Sequence, residues 1–255
     1  MPQYWNSLKS LINKLVPDQN FHQIVRQLKS DELGFIPFIQ FSRVNRFPSL
    51  IILPSQYEVI DVSLQKVWDR LQEQIYSTHG FRPSASSVSE MRAWLNNPLN
   101  IRLLENVSYL NLSGLQLTVL PREICNLITL ENLDLSNNNL RSLPNEIGNL
   151  LRLRFLQLNN NKLSALPSEI GNLQNLTTLN LDNNMFSVLP SEIGKLQNLT
   201  TLNLDNNKFL VVPSEIFRLS NLEELHLKNN LLVAIPIELL EMKLLQLELD
   251  NNLDV

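Results

Sequence analysis

From residue 107 to residue 252, apolar and polar positions recur in one order: an apolar residue, two of any kind, Leu, one residue, Leu, two residues, and usually Asn. Six copies step by 23 residues, with leucine pairs Leu110/Leu112, Leu133/Leu135, Leu156/Leu158, Leu179/Leu181, Leu202/Leu204 and Leu225/Leu227. A seventh pair, Leu247/Leu249, comes one residue early. Leucines two apart share one face of an extended strand, so each copy predicts a short strand with its leucines inward and the intervening residues outward. Self-similarity at this period predicts a solenoid. Its strands lie about 4.8 Å apart in a parallel sheet, and each unit hides its leucines only by stacking on its neighbours.

The punctuation between strands keeps the same step. Pro121, Pro144, Pro167, Pro190, Pro213 and Pro236 end each extended stretch, since proline fixes φ and removes a donor. The segment after each proline, SEIGNLQNL in one copy, predicts a helical or 3₁₀ turn on the convex side, with Ile170 and Leu173 pointing inward. Asn138, Asn161, Asn184, Asn207, Asn230 and Asn252 stand where the chain turns in, and a buried amide there can satisfy backbone groups of its own and the adjacent repeat. The form LPxEIGxLxxLxxLxLxxNxL resembles the 23-residue leucine-rich repeat found in intracellular scaffold proteins and many bacterial proteins. The first copy departs from it by placing Leu115 where Asn belongs, a position expected to face apolar N-terminal structure.

Before the repeats the period changes to that of helices. Trp5, Leu8, Leu11, Ile12 and Leu15 predict an amphipathic helix ending near Pro17, and Phe21, Ile24, Val25 and Leu28 a second over residues 18–29. A longer helix is expected from about Tyr57 to Tyr76, with Val59, Leu64, Val67, Trp68, Leu71 and Ile75 on its buried side. Residues 77–86 read as a loop. Ser87 and Glu90 have capping-box spacing and open a helix through Met91, Trp94 and Leu95 that stops at Asn96-Asn97-Pro98. The expected architecture is α/β: a helical N-terminal region and cap over residues 1–106, then a solenoid over 107–255 with a parallel sheet of about seven strands. Within the first region, Pro17, Ile24, Leu28 and Asp31 to Leu33, followed by Ser42 to Phe47, resemble an F-box. That resemblance implies a substrate adaptor recruiting a host ubiquitin ligase through residues 16–47. The apolar run Ser49–Leu53 is expected to pack under neighbouring helices.

Composition narrows the functional classes. The 255 residues are 44% hydrophobic and 18% charged with a formal charge of -4, values of a soluble globular protein. No Lys/Arg cluster forms a basic stripe, so nucleic acid is not an expected partner. No run reaches the roughly 20 apolar residues of a membrane span, and MPQYWNSLKSLINKLVPDQ lacks the layout of a Sec signal. The single cysteine, Cys125, excludes an internal disulfide and points to a reducing compartment, hence a cytoplasmic expectation. Catalysis finds no support: there is no phosphate-binding glycine loop and no HExxH or CxxC spacing, so neither cofactor nor metal is expected. Cys125 occupies the convex slot held by Gly148, Gly171 and Gly194 in other repeats, which reads as a buried substitution.

Function is therefore expected on the outward residues of the concave sheet, as a non-catalytic scaffold for a protein partner. The candidates are Tyr109, Asp134, Phe155, Gln157, Asp182, Asp205, Glu224, His226, Lys228 and Glu248, with Tyr109, Phe155 and His226 as anchors. The acidic bias of this face favours a basic partner surface. Repeats four and five are nearly identical, whereas repeat six places Glu224, His226 and Lys228 on one strand. A second reading stays open: Asn, Asp, Ser and Thr at such positions also serve a strand that only faces water. The stretch from Glu90 into the first repeat resembles leucine-rich-repeat proteins of amoeba-infecting, chlamydia-like bacteria. That resemblance implies an effector delivered into the host cytoplasm. No polar cap follows Leu247 and Leu249, so the expectation is either that self-association seals that end or that the natural chain continues further.

Overall fold

The computed structural model describes residues 39–44, 47–52, 56–79, 82–97, 99–100, 104–105 and 107–249. The two helices predicted before residue 30 lie outside the described residues. The chain divides into two units, residues 1–57 and 58–255. Residues 58–106, assigned by sequence to the N-terminal region, thus stand in the same unit as the repeats.

In the first unit, β1 (Ile39–Val44) and β2 (Phe47–Ile52) pair antiparallel, with Val44 opposite Phe47 and Ile39 opposite Ile52. Ser42 to Val44 of the F-box-like segment lie in β1 and Phe47 in β2, and most of the apolar run Ser49–Leu53 lies in β2. The reason is composition: Ile39, Phe41, Val44, Phe47, Ile51 and Ile52 are β-branched or aromatic and favour a pleated surface over a helix. The first half of the F-box-like segment lies outside the described residues.

In the second unit, α1 (Gln56–His79) and α2 (Val88–Leu95) form the N-terminal cap. The Ser87 hydroxyl accepts the Glu90 N–H at 3.2 Å, as its spacing predicts. The Glu90 carboxylate reaches back to the N–H and hydroxyl of Ser86, one residue earlier than a capping box specifies. Trp68, Leu71, Ile75, Met91 and Leu95 are buried in one continuous core with Leu104, Val107, Leu110 and Leu112 of the first repeat. Trp68 meets Trp94 edge-to-face, centroids 5.2 Å apart. Polar contacts join cap to repeat as well. Lys66 donates to the carbonyl of Leu115 at 2.8 Å, and Asn126 donates to the carbonyl of Leu95 and to Asn96, closing the end of α2. Leu115 packs partly buried against the core, as its replacement of asparagine predicts.

Seven three-residue strands follow in sequential parallel order: β3 (Tyr109–Asn111), β4 (Asn132–Asp134), β5 (Phe155–Gln157), β6 (Thr178–Asn180), β7 (Thr201–Asn203), β8 (Glu224–His226) and β9 (Gln246–Glu248). Leu110, Leu133, Leu156, Leu179, Leu202, Leu225 and Leu247 align as direct register partners. Five of the convex segments are 3₁₀ turns, each led by proline, whose carbonyl accepts the N–H three residues on, as Pro167 does from Ile170 at 3.1 Å. The sixth, Ile237–Glu241, is a short α-helix. Gly171 is required by close approach. A Cβ there would meet the Cβ and carbonyl of Glu192 in the next repeat at 2.8 Å, inside van der Waals contact.

From the second to the sixth repeat the inward turns are held by asparagines. Asn161 accepts the N–H of Leu140 at 3.0 Å and donates to the carbonyls of Leu135 and Leu158, and Asn138, Asn184, Asn207 and Asn230 repeat the pattern. The residue before each takes a left-handed conformation: Asn137, Asn160, Asn183, Asn206 and Asn229 have φ between 52° and 58°. Asparagine tolerates that region far better than most side chains. Their side chains also bridge repeats, Asn160 donating to Asn137 at 2.9 Å and Asn183 to Asn160 at 2.7 Å. Among the described residues, no helix is long and apolar enough to cross a membrane.

Candidate functional site

The outward strand positions separate by chemistry into groups committed to the backbone and groups that are not. Where Asn or Asp stands between the two leucines, its oxygen accepts the N–H two residues on: Asn111 from Ser113, Asp134 from Ser136, Asn180 from Asp182 and Asn203 from Asp205, at 2.9 to 3.0 Å. This Asx arrangement closes the end of the strand. Asp134, counted by sequence among partner-binding residues, is thus a strand-closing group first. Gln157, His226 and Glu248 hold the same position in repeats three, six and seven and extend beyond the reach of that local bond.

Tyr109 and Phe155 stand at the first strand position, 49% and 38% exposed, in line across β3, β4 and β5 with Asn132 between them. The guanidinium of Arg154 lies 5.7 Å from the centre of the Phe155 ring. Two aromatic rings presented to solvent on a sheet face are the large rigid surfaces from which binding anchors are made. Thr178 and Thr201 occupy the same place in repeats four and five.

At the other end the charged residues gather. The His226 ring nitrogen Nδ1 is 3.1 Å from Glu248 Oε2, and the Lys228 ammonium is 2.9 Å from the same oxygen. The Lys228 N–H donates to Asp205 at 2.6 Å, and Glu224 accepts the Thr201 hydroxyl at 3.3 Å. Repeat six is therefore not three independent exposed charges: His226 is only 18% exposed and its partners lie on the adjacent strands. Hydrogen bonds from Lys228, Gln246 and His226 hold the Glu248 carboxyl down to about 2, whereas burial raises that of Asp205. Asp182 accepts the side chain of Asn206 at 2.7 Å.

Sequence reading missed a second surface. An open groove runs along the edge where chains enter the sheet, lined by Glu131, Arg152, Arg154, Thr177, Thr200 and Glu223. Its floor is stitched by Asn175, Asn198 and Asn221, which donate to the carbonyls of Leu151, Gln174 and Gln197 at 2.7 Å. Those asparagines recur at 23 residues, a signal available in the sequence but overshadowed by the leucines.

A family model described as a leucine-rich repeat region matches residues 145–252, and a single leucine-rich-repeat model matches residues 129–150. Together with the seven aligned strands, this decides the fold. Residues 107–249 form a leucine-rich-repeat solenoid. A leucine-rich-repeat protein of Leptospira interrogans is similar in structure, with 43% identity and a TM-score of 0.55 over 58% of this chain and 38% of that one. The leucine-rich-repeat ectodomain of the Arabidopsis thaliana membrane receptor kinase GASSHO1/SCHENGEN3, in complex with Casparian strip integrity factor 2, is 38% identical with a TM-score of 0.50. There the match covers 57% of this chain and 18% of that one. A TDR receptor is 30% identical at a TM-score of 0.53, over 59% of this chain and 28% of that one. This chain thus spans well under half the length of each. No curated protein sequence matches it.

Within the leucine-rich repeats Cys125 is fully buried. Burial, with Glu146 and Glu123 nearby, pushes its thiol up to about 12, so at neutral pH it is not a thiolate nucleophile. Cys125 should resist a thiol-labelling disulfide reagent in the native protein and react fully after unfolding in guanidinium. Rapid native labelling would contradict its burial.

Proposed function

We propose that this protein is a non-catalytic scaffold that binds a protein partner across the concave leucine-rich-repeat face, with Tyr109 and Phe155 as the apolar anchors. The observation that carries this reading is the exposure of those two rings on neighbouring alternate strands, where repeats four and five have threonine. Gln157 adjoins Phe155 on the same strand, and Asp182, Asp205, Glu224, His226, Lys228 and Glu248 supply a polar, mildly acidic flank. Such a flank favours a basic partner surface mainly through orientation and on-rate. Support also comes from the receptor ectodomain whose structure is a complex with an integrity factor, since a similar repeat array there holds another protein. The likeness to the Leptospira interrogans protein supports a bacterial setting, and we place the action on a host protein in the cytoplasm of an infected cell.

The test uses the full chain as bait in eukaryotic cytosol, followed by calorimetry with the partner so identified. Tyr109→Ala with Phe155→Ala should weaken binding at least about tenfold, or about 1.4 kcal/mol, while leaving the melt intact because both are exposed. Thr178→Ala with Thr201→Ala, at the same strand position in the two repeats after that of Phe155, is the control and should change affinity little. Equal loss in the two double variants would remove the aromatic pair from the interface.

A further inference from the structure

Repeats five, six and seven bring together three side chains of metal-ligating type. Asp205, His226 and Glu248 each offer one ligand atom, and these atoms all lie within 4.8 Å of one another. His226 and Glu248 are register partners on β8 and β9, and Asp205 lies two residues beyond Asn203, the register partner of His226 on β7. We propose that Asp205, His226 and Glu248 form a binding site for a divalent transition-metal ion of the zinc type on the concave surface of the last three repeats.

The geometry is suited to that ion. Bonds of about 2.0–2.1 Å in a tetrahedral zinc site put neighbouring ligand atoms about 3.3 Å apart. Nδ1 of His226 and Oε2 of Glu248 stand at 3.1 Å, close to that ligand–ligand separation. One imidazole and two carboxylates are a donor set that zinc accepts and that magnesium or calcium, which prefer oxygen alone, do not. The backbone under His226 and Glu248 is a parallel ladder. The flanking contacts orient the ligands: Asp205 takes the Lys228 N–H at 2.6 Å and Glu248 Oε1 takes the Gln246 amide at 2.7 Å. One repeat earlier, the position of His226 holds Asn203, whose oxygen already accepts the Asp205 N–H, so no equivalent donor set recurs there.

Lys228 is the competitor. Its ammonium lies on Glu248 Oε2 at 2.9 Å and is 46% exposed, and a bound divalent ion takes that oxygen from it. Three protein ligands leave a further coordination position open. On this face that position is presented outward, where a carboxylate or imidazole of a docking protein can complete it. The site lies within the surface proposed above for docking, but the metal titration contains no partner, so it can fail while docking stands.

Isothermal titration of the full chain with zinc chloride at neutral pH tests the assignment. About one ion should bind per chain, and His226→Ala should weaken binding by at least about tenfold. Lys228→Met should tighten it by about two- to fivefold, the fold-change equivalent of an exposed ion pair. Cobalt(II) in place of zinc should show the visible absorption of a tetrahedral site in the wild type and lose it in His226→Ala and Glu248→Gln. Melting curves of these variants show whether the repeats remain folded. No heat of binding in the folded wild type, or binding that His226→Ala and Glu248→Gln leave unchanged, overturns the site.

Discussion

Asn184→Ala unfolds at a far lower urea concentration than the wild type, with a loss on the order of 3 to 5 kcal/mol. The side chain accepts the Leu163 N–H at 3.0 Å and donates to the carbonyls of Leu158, Leu181 and Asp182 at 2.9, 3.1 and 3.2 Å. Asn184 itself is 8% exposed. Alanine leaves up to four backbone groups without their partner, most of them buried, and each orphaned buried group costs about 1–3 kcal/mol. The sum is less than additive because a water molecule can enter the space vacated by the amide. The comparison is Asn198→Ala, which removes one exposed bond to the Gln174 carbonyl and should change stability by no more than about 0.5–1 kcal/mol. Urea midpoints for the two variants decide the matter. If they coincide, the buried asparagines do not hold the turns together.

Leu179→Ala is expected to cost about 2–5 kcal/mol. Leu179 is fully buried and pairs directly with Leu156 on one side and Leu202 on the other, so truncation opens a cavity between stacked units that neither neighbour can fill without moving its strand. In a solenoid each unit is stabilised by its interfaces with the next. The loss therefore falls on two interfaces at once and should broaden the unfolding transition as well as lower its midpoint. Thr178→Ala, next in sequence on the outward face, should remain within about 0.5 kcal/mol of the wild type. A melting midpoint for Leu179→Ala equal to that of Thr178→Ala would mean that the inward and outward faces have been exchanged.

Part of this molecule was legible residue by residue. The 23-residue step of leucine, proline and asparagine specified seven parallel strands, the 3₁₀ turns and the inward asparagines, because those features depend on side-chain periods of two and on φ constraints local to each repeat. The helix from Val88 to Leu95 and the burial of Trp68, Leu71 and Ile75 followed from helical spacing in the same way. Between Ile39 and Ile52, a motif resemblance and a short apolar run announced no strands, although the composition suits paired strands. Antiparallel pairing there joins residues whose partners no local period announces.

The sequence by itself determined the repeat, its register and which side chains face outward, since those are consequences of chain periodicity. Only the tertiary structure decided which outward groups are committed and which converge. Asp182 and Asp205 hold the same position in repeats four and five, yet one accepts the side chain of Asn206 and the other the Lys228 N–H of the next repeat. His226 and Glu248 hold the same position in successive repeats, so the register sets them side by side on β8 and β9, but that their side chains meet at 3.1 Å is a feature of the folded chain. Parallel stacking turns a separation along the chain into a contact of a few ångströms. The identity of the group on the next strand then decides whether a charge is paired, buried or available to a ligand.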